Sequence, residues 1–336
     1  MTQTAGSLEL QEPRPDGGAP GGQSAPAATP EEIRDAVVAG MPEWAGSAIA
    51  FEVLPGGTSN VNYLARVDGQ CFVIKVLTEQ MDDLGLRVPI SHVLTNTEAA
   101  GRTGLGPQTV RSFPEMSALV LECIGGRTLT IPEVGAASNI PRIGRAVRTF
   151  HDDTDAFSNR IEFFEFLDTF LRLLDEHSLH APDGLLDFLP AMSDVRAALA
   201  KNPLPLVPSH NDLLSSNIMD DGRIRLIDYD FSAMNDPCFD LGDLAMEADY
   251  GVDQVEALCE SYFGEPNPTQ MARVRLFGIV AQYTWAVWET LMDRLLVAKP
   301  DPDFDYHKEA YDRWSWARRK LESPDFGAVL DAARTP

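Results

Sequence analysis

Two stretches near the middle of the chain carry most of the information about its fold: Ser209-His210-Asn211-Asp212-Leu213-Leu214-Ser215-Ser216-Asn217-Ile218 and Leu226-Ile227-Asp228-Tyr229-Asp230-Phe231. The first is a polar loop in which Asp212 and Asn217 stand five residues apart, and the second is an apolar run that leads into Asp228. An acidic loop followed by an Asp leaving a strand matches the layout of kinase-type phosphoryl transfer. The alternative is a polar loop whose Asp and Asn side chains cap neighbouring turns. Because both halves occur at a workable spacing, the phosphoryl-transfer interpretation is favoured.

The residue types in these stretches fit that chemistry. Magnesium prefers hard oxygen ligands, which Asn217 and Asp228 supply, while substrate phosphates and water complete the octahedron. Asp212 is suited to accept the proton of an attacking hydroxyl and to hold its oxygen in line. His210 is expected to be a structural, hydrogen-bonding residue of the loop and not a catalyst.

A candidate phosphate-binding region lies earlier in the chain. Gly56-Gly57-Thr58-Ser59-Asn60 falls between two predicted strands, where glycines let backbone N–H groups approach phosphates closely. Lys75 ends the apolar run Cys71–Ile74, and Glu98 follows on the predicted helix His92–Thr103. We expect Glu98 to pair with Lys75 and to aim its ammonium at the α- and β-phosphates. The ordinary alternatives are a Gly-Gly turn and a solvated lysine on an edge strand.

Hydrophobic periodicity divides the chain into a β-rich part and a helical part. Short β-like runs lie between Ala48 and Leu77, and the pair Asp68-Gly69 predicts a hairpin. Two more strands are predicted near Thr109–Phe113 and Ala118–Cys123. Beyond these strands the periodicity is helical, apart from Pro203–Phe231 with a small hairpin at Asp221-Gly222. The predicted helices are Ile140–Asp152, Ile161–Glu176, Leu185–Leu199, Val252–Phe263, Thr269–Leu296 and Tyr306–Leu321.

These elements predict an α+β fold with two lobes and the active site between them. The β-rich N-lobe, residues 31–124, is expected to bind nucleotide, and the mainly helical C-lobe, residues 125–336, to hold the catalytic loop, metal and acceptor. Residues 1–30 contain five Gly, five Pro and five Ala with no aromatic residue. The segment has too little bulky apolar surface to offset the conformational entropy that ordering would cost. It is therefore predicted to be a disordered tail. Folded structure is expected to begin near Thr29.

Composition excludes several classes of function. The 27 Lys and Arg against 51 Asp and Glu give a net charge of −24, which repels nucleic-acid backbones and is compatible with a cationic substrate. The most apolar late stretch, Phe277–Trp288, is too short to span a membrane, so membrane insertion is not expected. The four cysteines form no CxxC pair. We therefore expect reduced thiols in a cytoplasmic protein, with neither a zinc site nor a disulfide framework.

Five segments carry a family resemblance: Leu54-Pro55-Gly56-Gly57-Thr58-Ser59-Asn60, Gly104-Leu105-Gly106-Pro107, His210-Asn211-Asp212-Leu213, Ile227-Asp228-Tyr229-Asp230 and Phe239-Asp240-Leu241-Gly242-Asp243. Through them the chain resembles the protein-kinase-like superfamily that holds aminoglycoside phosphotransferases and choline/ethanolamine kinases, and the choline kinase branch in particular. The resemblance covers about residues 46–321. It implies a two-lobed kinase-like fold that uses ATP and Mg²⁺.

The resemblance also implies a role for each candidate residue. Asp230 is either a ligand of a second metal or an acceptor behind the first. The segment from Glu122 to Ile124 is expected to be the hinge between the lobes, whose backbone grips adenine. The remaining roles are Asp212 as the base, Asn217 and Asp228 as metal ligands, and Gly56, Gly57, Thr58, Ser59, Asn60, Lys75 and Glu98 as residues that bind or orient phosphates.

The expected acceptor site is aromatic. Trp285 and Trp288 are three residues apart on one predicted helix and so share a face. In the choline kinase branch such a pair contributes to a box for a quaternary ammonium, and Phe231 is a candidate for another wall. The alternative is ordinary core packing. Where that branch has a Tyr this chain has Glu309, whose carboxylate suits an amine with N–H donors better than trimethylammonium.

The sequence therefore predicts an ATP- and Mg²⁺-dependent kinase for the hydroxyl of a small cationic amino alcohol, choline or ethanolamine. Two alternatives stay open at this point. An aminoglycoside O-phosphotransferase would share the ATP site and base but have a wide acidic acceptor groove. A catalytically inactive nucleotide-binding scaffold would not need Lys75, Glu98, Asp212, Asn217 and Asp228 together. The sequence does not specify an oligomeric state.

Overall fold

The structure is a computed structural model that describes residues 28–55, 59–265, 267–296, 299 and 302–335. Gly56, Gly57 and Thr58 of the candidate phosphate loop lie outside the described residues, as do residues 1–27 of the predicted tail. The first described helix, α1 (Pro30–Ala39), has Thr29 as its N-cap, close to the predicted start of folded structure. Thr29 Oγ1 accepts a hydrogen bond from the Glu32 amide at 3.2 Å, and the Glu32 carboxylate accepts one from the Thr29 amide at 2.8 Å.

The N-lobe is built on a five-stranded antiparallel sheet of order β1-β2-β3-β5-β4. The β2–β3 hairpin turns at Asp68-Gly69, where both residues have positive φ, so the predicted hairpin is confirmed. Helix α3 packs beside the sheet, and its position and length are close to those of the predicted helix His92–Thr103. The N-lobe elements are β1 (Ile49–Leu54), β2 (Asn60–Val67), β3 (Gln70–Leu77), α2 (Glu79–Asp83), α3 (Ile90–Arg102), β4 (Thr109–Phe113) and β5 (Ala118–Glu122).

The C-lobe is mainly helical and is organised around one long central helix, α10, which packs against α6, α8, α11 and α12. All the helices predicted for this lobe are present with small shifts of their ends, and Leu185–Phe188 is a 3₁₀ turn before α7. The helices are α4 (Ile131–Val134), α5 (Ile140–Asp153), α6 (Phe163–Glu176), α7 (Leu189–Leu199), α8 (Pro237–Glu247), α9 (Val252–Phe263), α10 (Pro268–Leu295), α11 (Tyr306–Leu321) and α12 (Phe326–Arg334).

Five short strands in the C-lobe fix the ends of the two polar stretches. They form a two-stranded sheet, β10-β7, and a three-stranded sheet, β6-β8-β9. Strand β7 leads into the loop of Asp212 and β8 follows it, while β9 leads into Asp228 and β10 follows that turn. The strands are β6 (Arg127–Thr128), β7 (Val207–Ser209), β8 (Ile218–Asp220), β9 (Ile224–Leu226) and β10 (Ala233–Asn235).

Helix α8 was not predicted from the sequence, and its burial explains why. Every residue from Pro237 to Met246 is buried, so the segment has no polar face and shows no amphipathic period. Asp236 caps its start by accepting a hydrogen bond from the Cys238 amide at 2.9 Å. The short α4 and the terminal α12 were also missed.

One disulfide corrects the expectation that the cysteines are reduced. Cys71 and Cys123 are joined, with their Cα atoms 5.4 Å apart. The two cysteines are distant in sequence. Phe72 pairs with Glu122 across β3 and β5, so Cys71, which precedes Phe72, lies opposite Cys123, which follows Glu122. Strand register, which linear spacing does not show, therefore brings the two thiols together; Cys238 and Cys259 are free and buried.

No helix in the described part of the chain is long and apolar enough to cross a membrane. The apolar stretch Phe277–Trp288 is the buried middle of α10, as predicted.

Candidate active site between the lobes

Two buried carboxylates on α8 hold the backbone of the catalytic loop. Asp240 accepts hydrogen bonds from the amides of His210 at 2.8 Å and Asn211 at 2.7 Å. Asp243 accepts one from the Leu213 amide at 2.7 Å. Asn211 has a φ of 65°, a left-handed conformation that Asn tolerates better than most residues. The motif that contains both carboxylates was visible in the sequence, but their anchoring role depends on α8 packing under the loop.

His210 is a structural residue, as predicted. Its ring Nε2 lies 2.9 Å from the carbonyl oxygen of Ile227, which ties the loop to the second polar stretch. Burial lowers the pKa of His210 and favours the neutral ring. The same Asp240 carboxylate also contacts Nε2 of His151 at 2.9 Å, so α5, α8 and the loop form one buried network.

Asp212 and Asn217 face each other across the loop. Asn217 Nδ2 donates to the Asp212 carbonyl oxygen at 2.9 Å and to Asp212 Oδ2 at 3.1 Å. Burial, followed by the nearby carboxylates of Asp243 and Asp228, raises the pKa of Asp212 well above its usual range. A carboxylate with a raised pKa takes a proton more readily, which suits a general base.

Lys75 joins the two acidic residues of the second stretch. Its Nζ lies 2.6 Å from Asp228 Oδ1 and 2.6 Å from Asp230 Oδ1. Burial and the neighbouring Asp230 charge raise the pKa of Asp228 to about 6. Burial would also raise the pKa of Asp230, but the charges of Lys75 and Arg87 hold it below its ordinary value. The structure therefore brings the strand lysine and both predicted metal ligands of this turn into direct contact.

The predicted Lys75–Glu98 pair is wrong. Among the described residues the ion-pair partners of Lys75 are Asp228 and Asp230. Thr97, on α3, lines the cavity that Lys75 faces. Glu98 follows it by one residue and is turned by about 100° around the helix, so its side chain leaves in another direction.

A cavity of about 410 Å³ lies between the lobes. Lys75, Asn217 and Asp228 are among its polar lining residues, and Glu122 and Ile124 line it where β5 meets the C-lobe, at the position predicted for the hinge. Apolar side chains from both lobes suit a flat ring held between them, with charged groups near the lysine. Those apolar residues are Leu54, Leu64, Val73, Leu121, Met219 and Ile227.

The described end of the phosphate loop contacts the acidic turn directly. Asn60, which follows Ser59 at the start of β2, donates through Nδ2 to the carboxylate of Asp230. Its Oδ1 accepts from the Thr78 amide at 3.1 Å and from Arg87 Nη1 at 2.9 Å. Arg87 was not predicted as a site residue, because no pattern in its neighbourhood points to one.

The predicted aromatic residues lie together beside the catalytic loop. The ring of Phe231 is centred 4.8 Å from that of Trp285 and 5.8 Å from that of Trp288, and the two indoles are 5.9 Å apart. Trp285 Nε1 donates to Asp243 at 3.3 Å, and Trp288 Nε1 donates to the Leu86 carbonyl oxygen at 2.6 Å. Both indoles are buried. The cluster thus shares Asp243 with the loop that carries the candidate base.

Glu309 makes an ion pair instead of standing alone beside the indoles. Its carboxylate lies 3.3 Å from Nε of the buried Arg313, which also lies 3.6 Å from Glu289. Glu289 directly follows Trp288 on α10, and burial raises the pKa of its carboxyl to about 8. Sequence reasoning missed Glu289 and Arg313; the signal for the first was a carboxylate inside a long apolar run.

The donor set fits a magnesium ion bound together with phosphates. No group of three or more His, Cys, Asp or Glu is arranged for a metal in the part of the chain that the structure describes. An Mg²⁺ ion held by one or two protein oxygens and by substrate phosphates does not need such a group. Asp228 and Asn217 line the same cavity, and the Asp228 side chain is 31% exposed there.

The fold and this geometry define a two-lobed, kinase-like phosphotransferase. A model of the phosphotransferase enzyme family known as APH matches residues 50–277. The chain therefore belongs to that family.

Three proteins are similar to this chain in sequence or in fold. Protein LicA of Haemophilus influenzae is 26% identical over 243 residues, which are 69% of this chain and 70% of that protein. The crystal structure of a choline/ethanolamine kinase family protein from Mesorhizobium loti is 28% identical, with a TM-score of 0.76 over 90% of this chain and 99% of that one. The choline kinase LicA from Streptococcus pneumoniae is 20% identical, with a TM-score of 0.71 over 86% and 98%.

Proposed function

We propose that the protein transfers the γ-phosphoryl group of ATP to the hydroxyl of a small cationic amino alcohol such as choline or ethanolamine. The observation that carries the proposal is the cluster of Phe231, Trp285 and Trp288, which is connected through Asp243 to the loop of Asp212. A cation over an indole face gains roughly 0.5–2 kcal/mol, depending on how far it is desolvated. The similarity to choline/ethanolamine kinase family proteins supports the same acceptor class.

Each group of residues has a separate role in the proposed reaction. The apolar walls of the cavity hold the base of the nucleotide, and Lys75 directs its ammonium toward the phosphates. Asp228 and Asn217 would hold Mg²⁺, which neutralises phosphate charge when it is bound. Asp212 orients the acceptor hydroxyl and takes its proton as the new bond from oxygen to phosphorus forms and the bond to the ADP oxygen breaks.

The acceptor site combines aromatic surface with negative charge. Asp243 accepts a hydrogen bond from Trp285, Glu289 directly follows Trp288 in the chain, and burial raises the pKa of Asp243 to about 7. A bound cation would favour the ionised form of these carboxyls, because an opposite charge nearby stabilises a carboxylate. The site therefore suits a small amine better than a neutral sugar.

The deciding experiment is a turnover assay with ATP and Mg²⁺ across a panel of choline, ethanolamine, N-methylated ethanolamines and kanamycin. We expect phosphorylation of at least one small amino alcohol and none of kanamycin. Turnover of kanamycin alone would replace the proposal with antibiotic phosphorylation. Absence of ATP turnover with every acceptor, from a protein that is folded and binds nucleotide, would make it a binding scaffold.

A further inference from the structure

Arg87 is a buried arginine whose hydrogen-bonding capacity is mostly unused. It lies between α2 and α3 and is 3% exposed. Its Nη1 donates to Asn60 Oδ1 at 2.9 Å, whereas Nε and Nη2 have no hydrogen-bond partner among the described protein atoms. Burying a guanidinium with two unmade hydrogen bonds is costly, so the position calls for an explanation in terms of a ligand.

Arg87 contacts the candidate phosphate-binding region and is adjacent in sequence to a residue that contacts the aromatic cluster. On one side, Asn60 connects it to Asp230 and the end of the phosphate loop. On the other side, the carbonyl of the preceding residue, Leu86, accepts the hydrogen bond of Trp288 from the aromatic cluster. The segment that contains Leu86 and Arg87 therefore connects the Asn60–Asp230 contact with the aromatic cluster.

The charges around Arg87 are all compatible with a charged guanidinium. Burial lowers its pKa, and the carboxylates of Asp230, Asp82, Asp228 and Glu79 act in the opposite direction. Arginine stays protonated in proteins even under such burial. Among the described residues Arg87 takes part in no ion pair at contact distance, so those carboxylates do not use its free donors.

A fully bonded buried arginine in the same protein shows the contrast. Arg225 donates through Nε to the Leu105 carbonyl at 3.1 Å, through Nη2 to the Gly106 carbonyl at 3.2 Å and through Nη1 to Asp221 at 2.9 Å. All three nitrogens of that guanidinium hold the fold together. Arg87 uses only Nη1 in this way, and its Nε and Nη2 have no hydrogen-bond partner among the described protein atoms.

The two free donors of Arg87 lie along one edge of the planar guanidinium group. Nε–H and an Nη2–H point in the same direction and make the side-on fork that matches two oxygens of a phosphoryl group. We propose that Arg87 donates this fork to the transferred phosphoryl group and stabilises the charge on its oxygens during transfer. This role depends on the part of the proposed function that assigns phosphoryl transfer from ATP. It does not depend on the identity of the acceptor.

The chemical step stays balanced with Arg87 in this role. The acceptor oxygen forms its bond to phosphorus, the bond to the ADP oxygen breaks and the hydroxyl proton goes to Asp212. Arg87 exchanges no proton or electron in the step. Because transferring phosphoryl groups keep their charge on the outer oxygens, a positioned arginine is worth about 10³–10⁵ in rate in other phosphotransferases.

The test compares Arg87→Met and Arg87→Lys with the wild type and with Arg225→Met as a matched buried control. We expect Arg87→Met to lower kcat by about a thousandfold, with a smaller loss in Arg87→Lys, because lysine keeps the charge but not the fork. The melting temperature of Arg87→Met should stay level or rise, because the variant removes a buried charge with unmade bonds. Arg225→Met should lower the melting temperature, since it leaves two carbonyls and a carboxylate unpaired.

A binding measurement keeps the inference testable whatever the acceptor is. In the wild type, ATPγS should bind more tightly than ADP, and Arg87→Met should reduce that preference by at least tenfold. A kcat within threefold of wild type and an unchanged preference for ATPγS in Arg87→Met would overturn the proposal. A melting temperature that falls as far as in Arg225→Met, with the preference for ATPγS intact, would make Arg87 structural. If no amine is phosphorylated, the acceptor assignment fails, while the ATPγS measurement still decides on Arg87.

Discussion

At the scale of single residues, the candidate base and the candidate metal ligand differ in what each carboxylate contacts. Burial and then the nearby carboxylates raise the pKa of Asp212, while Asn217 donates a hydrogen bond to one of its oxygens. Asp228 contacts the Lys75 ammonium directly, which favours a charged ligand. These contacts support the proposed proton transfer at Asp212 and the proposed cation binding at Asp228.

These two roles predict different defects for two conservative substitutions. Asp212→Asn should lower kcat by about 10²–10⁴ with nearly unchanged nucleotide affinity, because only the proton acceptor is lost. Asp228→Asn should also weaken the binding of ATP in the presence of Mg²⁺, because a charged ligand is removed. Steady-state kinetics and nucleotide titration separate the two, with Asp175→Asn on the exposed face of α6 as the control. Turnover near the wild-type rate in both variants would contradict the assignment.

The indole hydrogen bonds refine the prediction for the aromatic cluster. Trp285→Phe keeps most of the volume and should raise KM for the amine, up to about thirtyfold for a contact worth 2 kcal/mol, with little change in KM for ATP. Trp288→Phe should in addition lower the melting temperature, because it leaves the buried Leu86 carbonyl unpaired at a cost of about 1–3 kcal/mol. Kinetics and thermal melts of both variants check this. Lower stability with an unchanged amine KM in both would make the cluster core packing only.

At the scale of secondary-structure elements, the disulfide connects the lysine strand to the hinge. Cys71 is the second residue of β3 and Cys123 follows β5 in the lining of the cavity, at a sequence separation of 52. Closing a loop of this size stabilises the folded state by about 4 kcal/mol in the chain-entropy model. We expect Cys71→Ser to lower the melting temperature by several degrees under oxidising conditions and not under reducing conditions.

Alkylation of the folded protein provides an independent check on that pair. Before reduction no cysteine should react, since Cys238 and Cys259 are buried, and after reduction only Cys71 and Cys123 should become accessible. Two reactive thiols in the protein before reduction would show that the pair is not joined.

The elements that the sequence predicted are those with a clear period or turn. The Asp68-Gly69 hairpin and the amphipathic helices α5 and α6 have strong local patterns, and each is present. Helix α8 was missed because it is buried on all sides, although it anchors the catalytic loop. The Lys75–Glu98 pair failed for a related reason: the direction of a side chain on α3 depends on how the helix packs against the sheet, and one residue changes it by about 100°.

At the scale of the whole molecule, the site is assembled from segments that are far apart in the chain. Lys75 comes from the N-lobe sheet, Asp212 and Asp228 from C-lobe turns, and the aromatic pair from α10. Each of these could be recognised locally from its residue type and spacing. Arg87 and Arg313 could not, because their contacts appear only when the lobes and helices meet, whereas Glu289 left one local signal, a carboxylate inside a long apolar run.

This assembly concentrates buried carboxyl groups, which makes the stability of the whole protein depend on pH. Burial raises the pKa of Asp243 to about 7 and that of Glu289 to about 8, both far above the values in an unfolded chain. Between the unfolded and folded pKa values the native state binds more protons, so stability falls as pH rises. The buried His210 has a lowered pKa and acts in the opposite direction, but only below about pH 6.5, where an unfolded histidine takes up its proton.

We therefore expect the melting temperature of the ligand-free protein to fall from pH 6.5 to about pH 8, through the folded pKa values of Asp243 and Glu289. Glu289→Gln should flatten that slope, because its carboxyl titrates in this window; the charged groups that act on it are Arg313, at 3.6 Å, and Glu309. Glu115→Gln, an exposed position in the N-lobe, should leave the slope unchanged. Differential scanning fluorimetry across this range checks all three proteins at constant ionic strength. A melting temperature that rises with pH, or an equal slope in Glu289→Gln and the wild type, would show that the buried carboxyls are already ionised in the folded state.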